Sequence, residues 1–570
     1  MNLQYPMLIL PVLIALVNSA VVVNDGDVEQ QGLYSKSDRV DILTNRNFER
    51  MVYGQNHARI VQFYNSYCGH CRAFAPRFKE MAAQIATWKN IVSLAVLDCS
   101  VEENNEVCRQ FEVMAYPSLR YLRESYVKGN GNVGEKIAVA ESTERLKALI
   151  IEKLQSEKAA GRLPMAPSFR IDSYSSYSAA LKDAPHENNV TFLVFENVNS
   201  TVGSELALDL HDYSQVSVKR VYDTSELATL TNIKQFPGIV AVSSTLETTP
   251  ISPKDQASQK YLKAVNTHLK SKNYLFPSRG QQGSQEIIMN DHSNEKPAAL
   301  NTELVYYTDL EKTLKTSLHT EITRFQTLTG EPLQALLDFL DVLINTFPFR
   351  ANLKEYIVDL YTTLRQKSSW SGGELYELVK RLETAHAPVY TSSNLEFARC
   401  KGSQPKYRGY TCGLWTLFHT LTVNAAQKSD GKYGPKVLRA MHGYIKNFFG
   451  CTDCAQHFQA MAARNRVFDV KENDKAVLWL WIAHNEVNLR LAGDVTEDPD
   501  YPKIQFPSVA KCPECRLARG AWNLPAVYQY MQNLYGADNI QMTRRVKLSS
   551  PVASPFSDLD IGMLSLLYMP

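Results

Sequence analysis

Two cysteine pairs with two residues between the sulfurs, Cys68-Gly-His-Cys71 and Cys451-Thr-Asp-Cys454, are the residues of this chain best suited to chemistry. A dithiol at that spacing closes into a tight disulfide and reopens by thiolate exchange, at a rate set by nucleophile pKa, leaving group and access. Cys68 and Cys71 stand where an apolar strand, Ile60 to Tyr64, gives way to a segment, Arg72 to Ile85, with Phe74, Phe78, Met81 and Ile85 on one helical face. A sulfur at a helix start faces unpaired N–H groups and the positive end of the dipole, so the pKa of Cys68 falls, and His70 further favours the thiolate. A zinc half-site or an inert bridge is the alternative there. The later pair lies in an aromatic-rich helical segment, Phe449 to His457, with His457 three residues past Cys454. Two dithiols in one chain can pass electrons from the early pair to the late one.

The elements that must hold these pairs belong to several domains, because 570 residues exceed what one core supports. Apolar content of 44%, charged content of 21% and a net charge of +2 describe ordinary globular protein and give no electrostatic footprint for nucleic acid. Residues 1–20, with an apolar run from Met7 to Val17 and then Asn-Ser-Ala, are expected to be a secretory signal peptide. That run and the apolar stretch Ile561 to Met569 are both too short to span a bilayer. The ten cysteines fall into close pairs, 68/71, 99/108, 400/412, 451/454 and 512/515, as expected of disulfides in an exported chain. Cys99 and Cys108 flank an acidic loop and form a staple contributing about 2–3 kcal/mol. Asn189 and Asn199 head glycosylation triplets.

Residues 33–160 carry an α/β pattern, with Val92 to Leu97 as a second strand and Tyr116-Pro117 leading into a third. Residues 165–271 repeat it without cysteine, through Val190 to Phe195, Phe236-Pro237 before another strand, and a helix over Tyr261 to Leu269. A Gly/Gln/Ser-rich joint follows at 272–299, then a helix-rich region at 300–392 with no motif that carries chemistry. A last helical domain spans 393–545 and a tail 546–570. In that domain Trp415 and His419 share one helical face, and His484 and Asn488 another. Helices that offer aromatic and imidazole groups to a common centre suit a flat heteroaromatic ligand. A flavin fits best, because it can take two electrons from a dithiol.

These motifs carry a family resemblance. Strand, Cys-Gly-His-Cys, helix and a Tyr-Pro turn resemble the thioredoxin fold in its disulfide-isomerase version, which implies that Pro117 is cis beside the dithiol. Tyr407-Arg-Gly-Tyr-Thr-Cys-Gly-Leu-Trp-Thr-Leu-Phe-His419, Cys451-Thr-Asp-Cys-Ala-Gln-His457, His484-Asn-Glu-Val-Asn488 and Cys512-Pro-Glu-Cys515 resemble the Erv/ALR sulfhydryl oxidases. With two thioredoxin-like domains ahead, the chain is similar to the quiescin-sulfhydryl oxidases.

The resemblance implies two α/β thioredoxin-like domains, an all-α region and an all-α Erv/ALR bundle, with FAD as cofactor. It implies flavin contacts from Arg408, Trp415, His419, Asp453 and His457. Trp481, Ile482, Ala483, His484, Asn485, Glu486, Val487 and Asn488 would form a wall around the adenine, and Lys503 would reach the phosphates. Phe506 stands where relatives tend to have Trp, keeping the ring and losing its N–H donor. Cys400/Cys412 and Cys512/Cys515 would be structural bridges, although Cys512/Cys515 with Cys451/Cys454 could instead hold zinc. The implied activity is a thiol oxidase: reduced protein thiols reduce Cys68/Cys71, that pair reduces Cys451/Cys454, and oxygen leaves as hydrogen peroxide. The enzyme would be a monomer in the secretory pathway, in the Golgi lumen or outside the cell. The competing expectation is a secreted disulfide isomerase without flavin.

Overall fold

The computed structural model describes residues 30–542 apart from 130, 183, 185–187, 232, 253–257, 275–303, 350 and 429–432. The expected signal peptide, nearly all of the 272–299 joint and the 546–570 tail lie outside the described residues. Among the described residues no helix is long and apolar enough to cross a membrane.

The first unit is a five-stranded mixed sheet in the order Asp41–Leu43, Val92–Asp98, Ala58–Tyr64, Ser118–Leu122, Glu135–Ile137. The first three strands are parallel and the last two antiparallel. Ala58–Tyr64, an apolar run covered on both faces, is buried along its whole length. It delivers the chain to the helix Gly69–Gln84, whose N-cap is Cys68. The peptide bond before Pro117 is cis.

A second five-stranded sheet, in the order Thr248–Ile251, Gly238–Ser243, Val190–Glu196, Val216–Tyr222, Ile171–Asp172, repeats the plan. Pro237 is also cis. Its helix Val202–Leu210 is wholly buried, since its far side rests on the first unit. There Asp209 accepts from the Trp88 indole at 2.9 Å and the Thr87 hydroxyl at 2.6 Å, and Lys147 pairs with Glu205 at 2.8 Å.

From residue 304 onward the chain is helical and shares one core. Leu314, Leu336 and Phe339 pack with Leu417, Phe418 and Tyr444, so the regions expected as 300–392 and 393–545 are continuous in their packing. Val305–Tyr306 also pairs with Ile540–Gln541 near the end of the described chain. The helix Tyr307–Thr316 runs into a π-helical turn, Ser317–Glu321, in which all five residues are buried. Such a turn re-aims side chains within a continuous helix. Here it turns His319 and Glu321 toward the first unit.

The first unit docks on this helical body. His319 lies between Glu102 (Nδ1, 2.7 Å) and Glu383 (Nε2, 2.5 Å). Asn105 donates to the His319 carbonyl at 2.7 Å, and Arg109 to that of Thr323 at 2.9 Å. Tyr67 packs so closely on Gly409 that a Cβ there would lie 2.3 Å from its ring.

Candidate functional site

Cys68 caps the helix Gly69–Gln84 and is 3% exposed; Cys71, one turn on, is fully buried. Both are free thiols. A hydrogen bond from the Cys71 thiol outweighs burial and pulls the Cys68 pKa down, helped by the backbone N–H groups of Cys71 and His70 and by the charge of Arg72. Burial pushes the Cys71 thiol well up, and the bond it gives to Cys68 adds to this. One sulfur is thus a nucleophile and its neighbour a held proton. His70 contributes through its N–H, and the positive charge beside Cys68 is that of Arg72, which spacing did not single out. Arg72 donates to the Lys406 carbonyl at 2.8 Å and stacks on Tyr407, so it belongs to both bodies.

Cys451 caps the helix Thr452–Arg464 as Cys68 caps its own, and it is disulfide-bonded to Cys454. Cys451, 3% exposed, packs in the same apolar cluster as Cys68 and Cys71. The loop before Pro117 grips this segment: the Tyr116 N–H donates to the Gly450 carbonyl at 3.2 Å, and the Tyr116 carbonyl lies 3.8 Å from Cys68 Sγ. Cys454 packs against the edge of that cluster and also lies in the wall of a large cavity.

That cavity, of about 650 Å³, is bordered by both bodies. The first unit gives Tyr67, Gly69, His70 and Arg72; the helical body gives Arg408, Trp415, Asp453, Cys454, His457, His484, Lys503 and Phe506. Trp415, on the helix Gly409–Ala426, stacks flat on His484, on Asn473–Leu491, with ring centres 4.2 Å apart and planes 4° apart. His419 sits behind the wall: its Nε2 is 3.1 Å from Nδ1 of His484 and its ring stacks on Tyr535. Burial, with Arg399 nearby, takes the His419 pKa down to about 3, and burial lowers that of His484 well below its ordinary value. Both rings are neutral near pH 7. Asp453 and His457 stand half-exposed at the rim, with His457 Nδ1 donating to the Asp453 carbonyl at 2.8 Å.

The run 481–488 divides by helical periodicity. His484, Glu486, Val487 and Asn488 border the cavity, whereas Trp481, Ile482, Ala483 and Asn485 do not. Eight consecutive residues cannot share one face of a helix with 3.6 residues per turn. Ile482 is exposed, and Ala483 is buried in the core. Trp481 and Asn485 donate to the Phe506 carbonyl at 2.6 and 2.7 Å, and the Asn488 amide to that of Ile504 at 3.1 Å. These side chains pin the 504–506 segment, so the Phe506 backbone carries more of the arrangement than its ring.

Arg399 and Tyr501, which spacing gave no reason to choose, also border the cavity. Arg408 sits at φ +60°, a strained conformation for a side-chain-bearing residue, with its guanidinium over the Tyr501 ring and donating to the Arg399 carbonyl at 2.8 Å. Asp309 accepts from the backbone N–H groups of Ala398 and Cys400, and burial raises its pKa to about 6. Cys400–Cys412, Cys512–Cys515 and Cys99–Cys108 are disulfides, so the sulfurs weighed as a zinc site are engaged with one another in two bridges.

The residues fit a flavin dinucleotide. Arg399 Nη1, Arg408 Nε and His419 Nδ1 are buried polar atoms without a hydrogen-bond partner. Arg399 and Arg408, with Arg72 and Lys503, make the cavity cationic, and its flat aromatic wall suits a ring system joined to a diphosphate. A dithiol domain docked on a disulfide that borders such a cavity defines a thiol–disulfide oxidoreductase built to work with a nucleotide cofactor.

Four family descriptions match the chain: Thioredoxin over 39–151, QSOX Trx-like domain over 171–264, Flavin adenine dinucleotide (FAD)-dependent sulfhydryl oxidase over 301–403, and Erv1 / Alr family over 412–507. Sulfhydryl oxidase 1 of Gallus gallus is 34% identical over 534 residues, covering 91% of this chain and 69% of that protein. Sulfhydryl oxidase 2 of Mus musculus is 30% identical, covering 93% and 78%. The solved Sulfhydryl Oxidase Fragment of Human QSOX1 is 34% identical over 42% of this chain and 99% of its own, with a TM-score of 0.40. The chain belongs to the quiescin sulfhydryl oxidase family. It is an FAD-dependent thiol oxidase that forms disulfide bonds, with protein thiols as substrates and oxygen as oxidant.

Proposed function

We propose that electrons travel from substrate thiols through Cys68/Cys71 to Cys451/Cys454 within one docked chain. The observation that carries this reading is the position of the Cys451–Cys454 disulfide, with Cys451 in the same apolar cluster as Cys68 and Cys454 in the cavity wall. The Cys68 thiolate attacks Cys451; the 451–454 bond breaks, a 68–451 bond forms, and Cys454 leaves as a thiolate. Cys71 then gives its proton to water, attacks Cys68 and releases Cys451 as a thiolate. The early pair ends oxidised and the late pair reduced. FAD held beside Cys454 would supply the two-electron link from that pair to oxygen, with hydrogen peroxide as the product.

For the cofactor, Trp415 and His484 offer the flat wall, Arg399, Arg408 and Lys503 the cations for the diphosphate, and neutral His419 holds His484 in orientation. Asp453 and His457 close the rim beside Cys454. A single chain supplies both dithiols, consistent with a monomer. Closed structural disulfides fit the secretory pathway, in the Golgi lumen or outside the cell. Asn199 is exposed and suited to a glycan, whereas the amide nitrogen of Asn189 donates to Gln215 at 3.1 Å.

The test is Cys454→Ser. Oxygen uptake with reduced protein substrate ceases while Cys68/Cys71 still cycles between dithiol and disulfide; sustained uptake overturns the relay. Purified protein that is colourless, with a cavity that takes up no added FAD, overturns the cofactor assignment.

A further inference from the structure

The helix-rich region, which carries no redox motif, reaches into the junction between the two dithiols. Glu321 and Arg324 leave the π-helical turn and are each 3% exposed. Glu321 Oε2 accepts from the Gly450 N–H at 3.0 Å and from Arg324 Nη1 at 3.2 Å. Its other oxygen is 3.5 Å from the amide of Asn65, whose carbonyl accepts from the Cys68 N–H at 3.0 Å. The Arg324 guanidinium lies 5.8 Å from the centre of the Tyr116 ring. Gly450 therefore gives its N–H to the helix-rich region and its carbonyl to Tyr116 of the first unit. A Cβ on it would meet Arg324 Nη1 at 2.3 Å and Tyr116 at 2.5 Å.

We infer that Glu321 and Arg324 are positioning residues for the exchange between the dithiols: they fix the peptide that leads into Cys451 and register it against the loop that carries Cys68. This rests on the relay proposed above. Thiolate exchange proceeds when attacking, central and leaving sulfurs lie nearly in line, so the orientation of the 450–451 peptide decides whether Cys68 meets Cys451 productively. The grip is made with the Gly450 N–H, the Asn65 amide, the Tyr116 ring and between the two residues themselves, rather than with sulfur. The residues act through Gly450 and Tyr116, on a step that a small thiol attacking Cys451–Cys454 directly does not need.

The test compares two routes by anaerobic stopped-flow bleaching of the flavin in the full-length holoenzyme. Reduced, unfolded ribonuclease drives the route through Cys68/Cys71, and dithiothreitol drives the direct route in a Cys68→Ser/Cys71→Ser background. Glu321→Ala is expected to slow the first route at least about tenfold more than the second, as misplacement of reacting atoms does. Glu321→Gln, which keeps an acceptor for the Gly450 N–H, restores most of the loss. Arg324→Lys, which keeps the charge and gives up the flat contact with Tyr116, is expected to show the same selective slowing and serves if Glu321→Ala does not fold. Equal slowing of both routes, or none, overturns the inference. If Cys68→Ser alone leaves ribonuclease-driven bleaching intact, the relay itself is what fails.

Discussion

The two thioredoxin-like units bring a strand to the same place and do opposite things there. In the first, Ala58–Tyr64 leads to a helix capped by Cys68, whose lowered pKa exploits the unpaired N–H groups. In the second, Val190–Glu196 leads to the helix Val202–Leu210, and Glu196 fills the corresponding ground. Its carboxylate accepts from the Gly203 N–H at 3.1 Å and from Arg220 at 2.5 Å, with both side chains almost completely buried. A Cβ on Gly203 would lie 2.5 Å from Glu196, so a side chain there would force the carboxylate aside. The same positive helix end is permanently neutralised in one unit and left for a reactive sulfur in the other. The first unit presents that end to the helical body, while the second packs the side of its helix on the first.

That contrast breaks most completely at the sulfur. Cys68→Ser is expected to remove turnover of protein thiols, at least about a hundredfold by oxygen uptake, while dithiothreitol still supports turnover through Cys451–Cys454. Arg220→Ala, which strips the neutralising pair of its cation, leaves a buried carboxylate alone and costs roughly 3–5 kcal/mol in denaturant unfolding. If stability holds, the second unit's helix end is not what the pair secures. Cys99→Ser/Cys108→Ser opens a short loop of the first unit and costs about 2–3 kcal/mol, with bleaching by dithiothreitol unaffected.

The smallest effect concerns pH. Burial works against a charge on His319, but its bonds to Glu102 and Glu383 prevail and raise its pKa. Burial also opposes the charge of Glu102, and the bond to His319 with the nearby Lys315 and Lys380 prevails, taking its pKa to about 2. Tyr376 and Tyr390 complete the surroundings. A raised imidazole pKa stabilises docking fully below the ordinary value of about 6.5 and stops doing so as pH climbs through the raised value. The melting temperature is therefore expected to decline as pH rises through that span, with a shallower decline in His319→Gln; identical slopes would rule out this contact.

Much of this was legible in the sequence because it is local. Cys68 beside an apolar strand, Trp415 one turn from His419, and Cys454 with His457 on one helix are relations within a few residues, and periodicity reports them. Of the run 481–488, expected as one wall, periodicity brings His484, Glu486, Val487 and Asn488 to the cavity. Glu321 and Gly450, Arg72 and Lys406, or Asp309 and the Cys400 turn meet across long stretches of chain, so spacing carries no trace of them. The helix-rich region looked inert for that reason.

Only 3% exposed in the docked arrangement, Cys68 serves one correspondent at a time. A client protein and the Cys451 loop exclude each other, so loading and hand-over alternate and the first unit must leave its berth once per cycle. An abundant supply of reduced clients then occupies the thiol needed for hand-over, and the rate bends downward at high client concentration instead of levelling off.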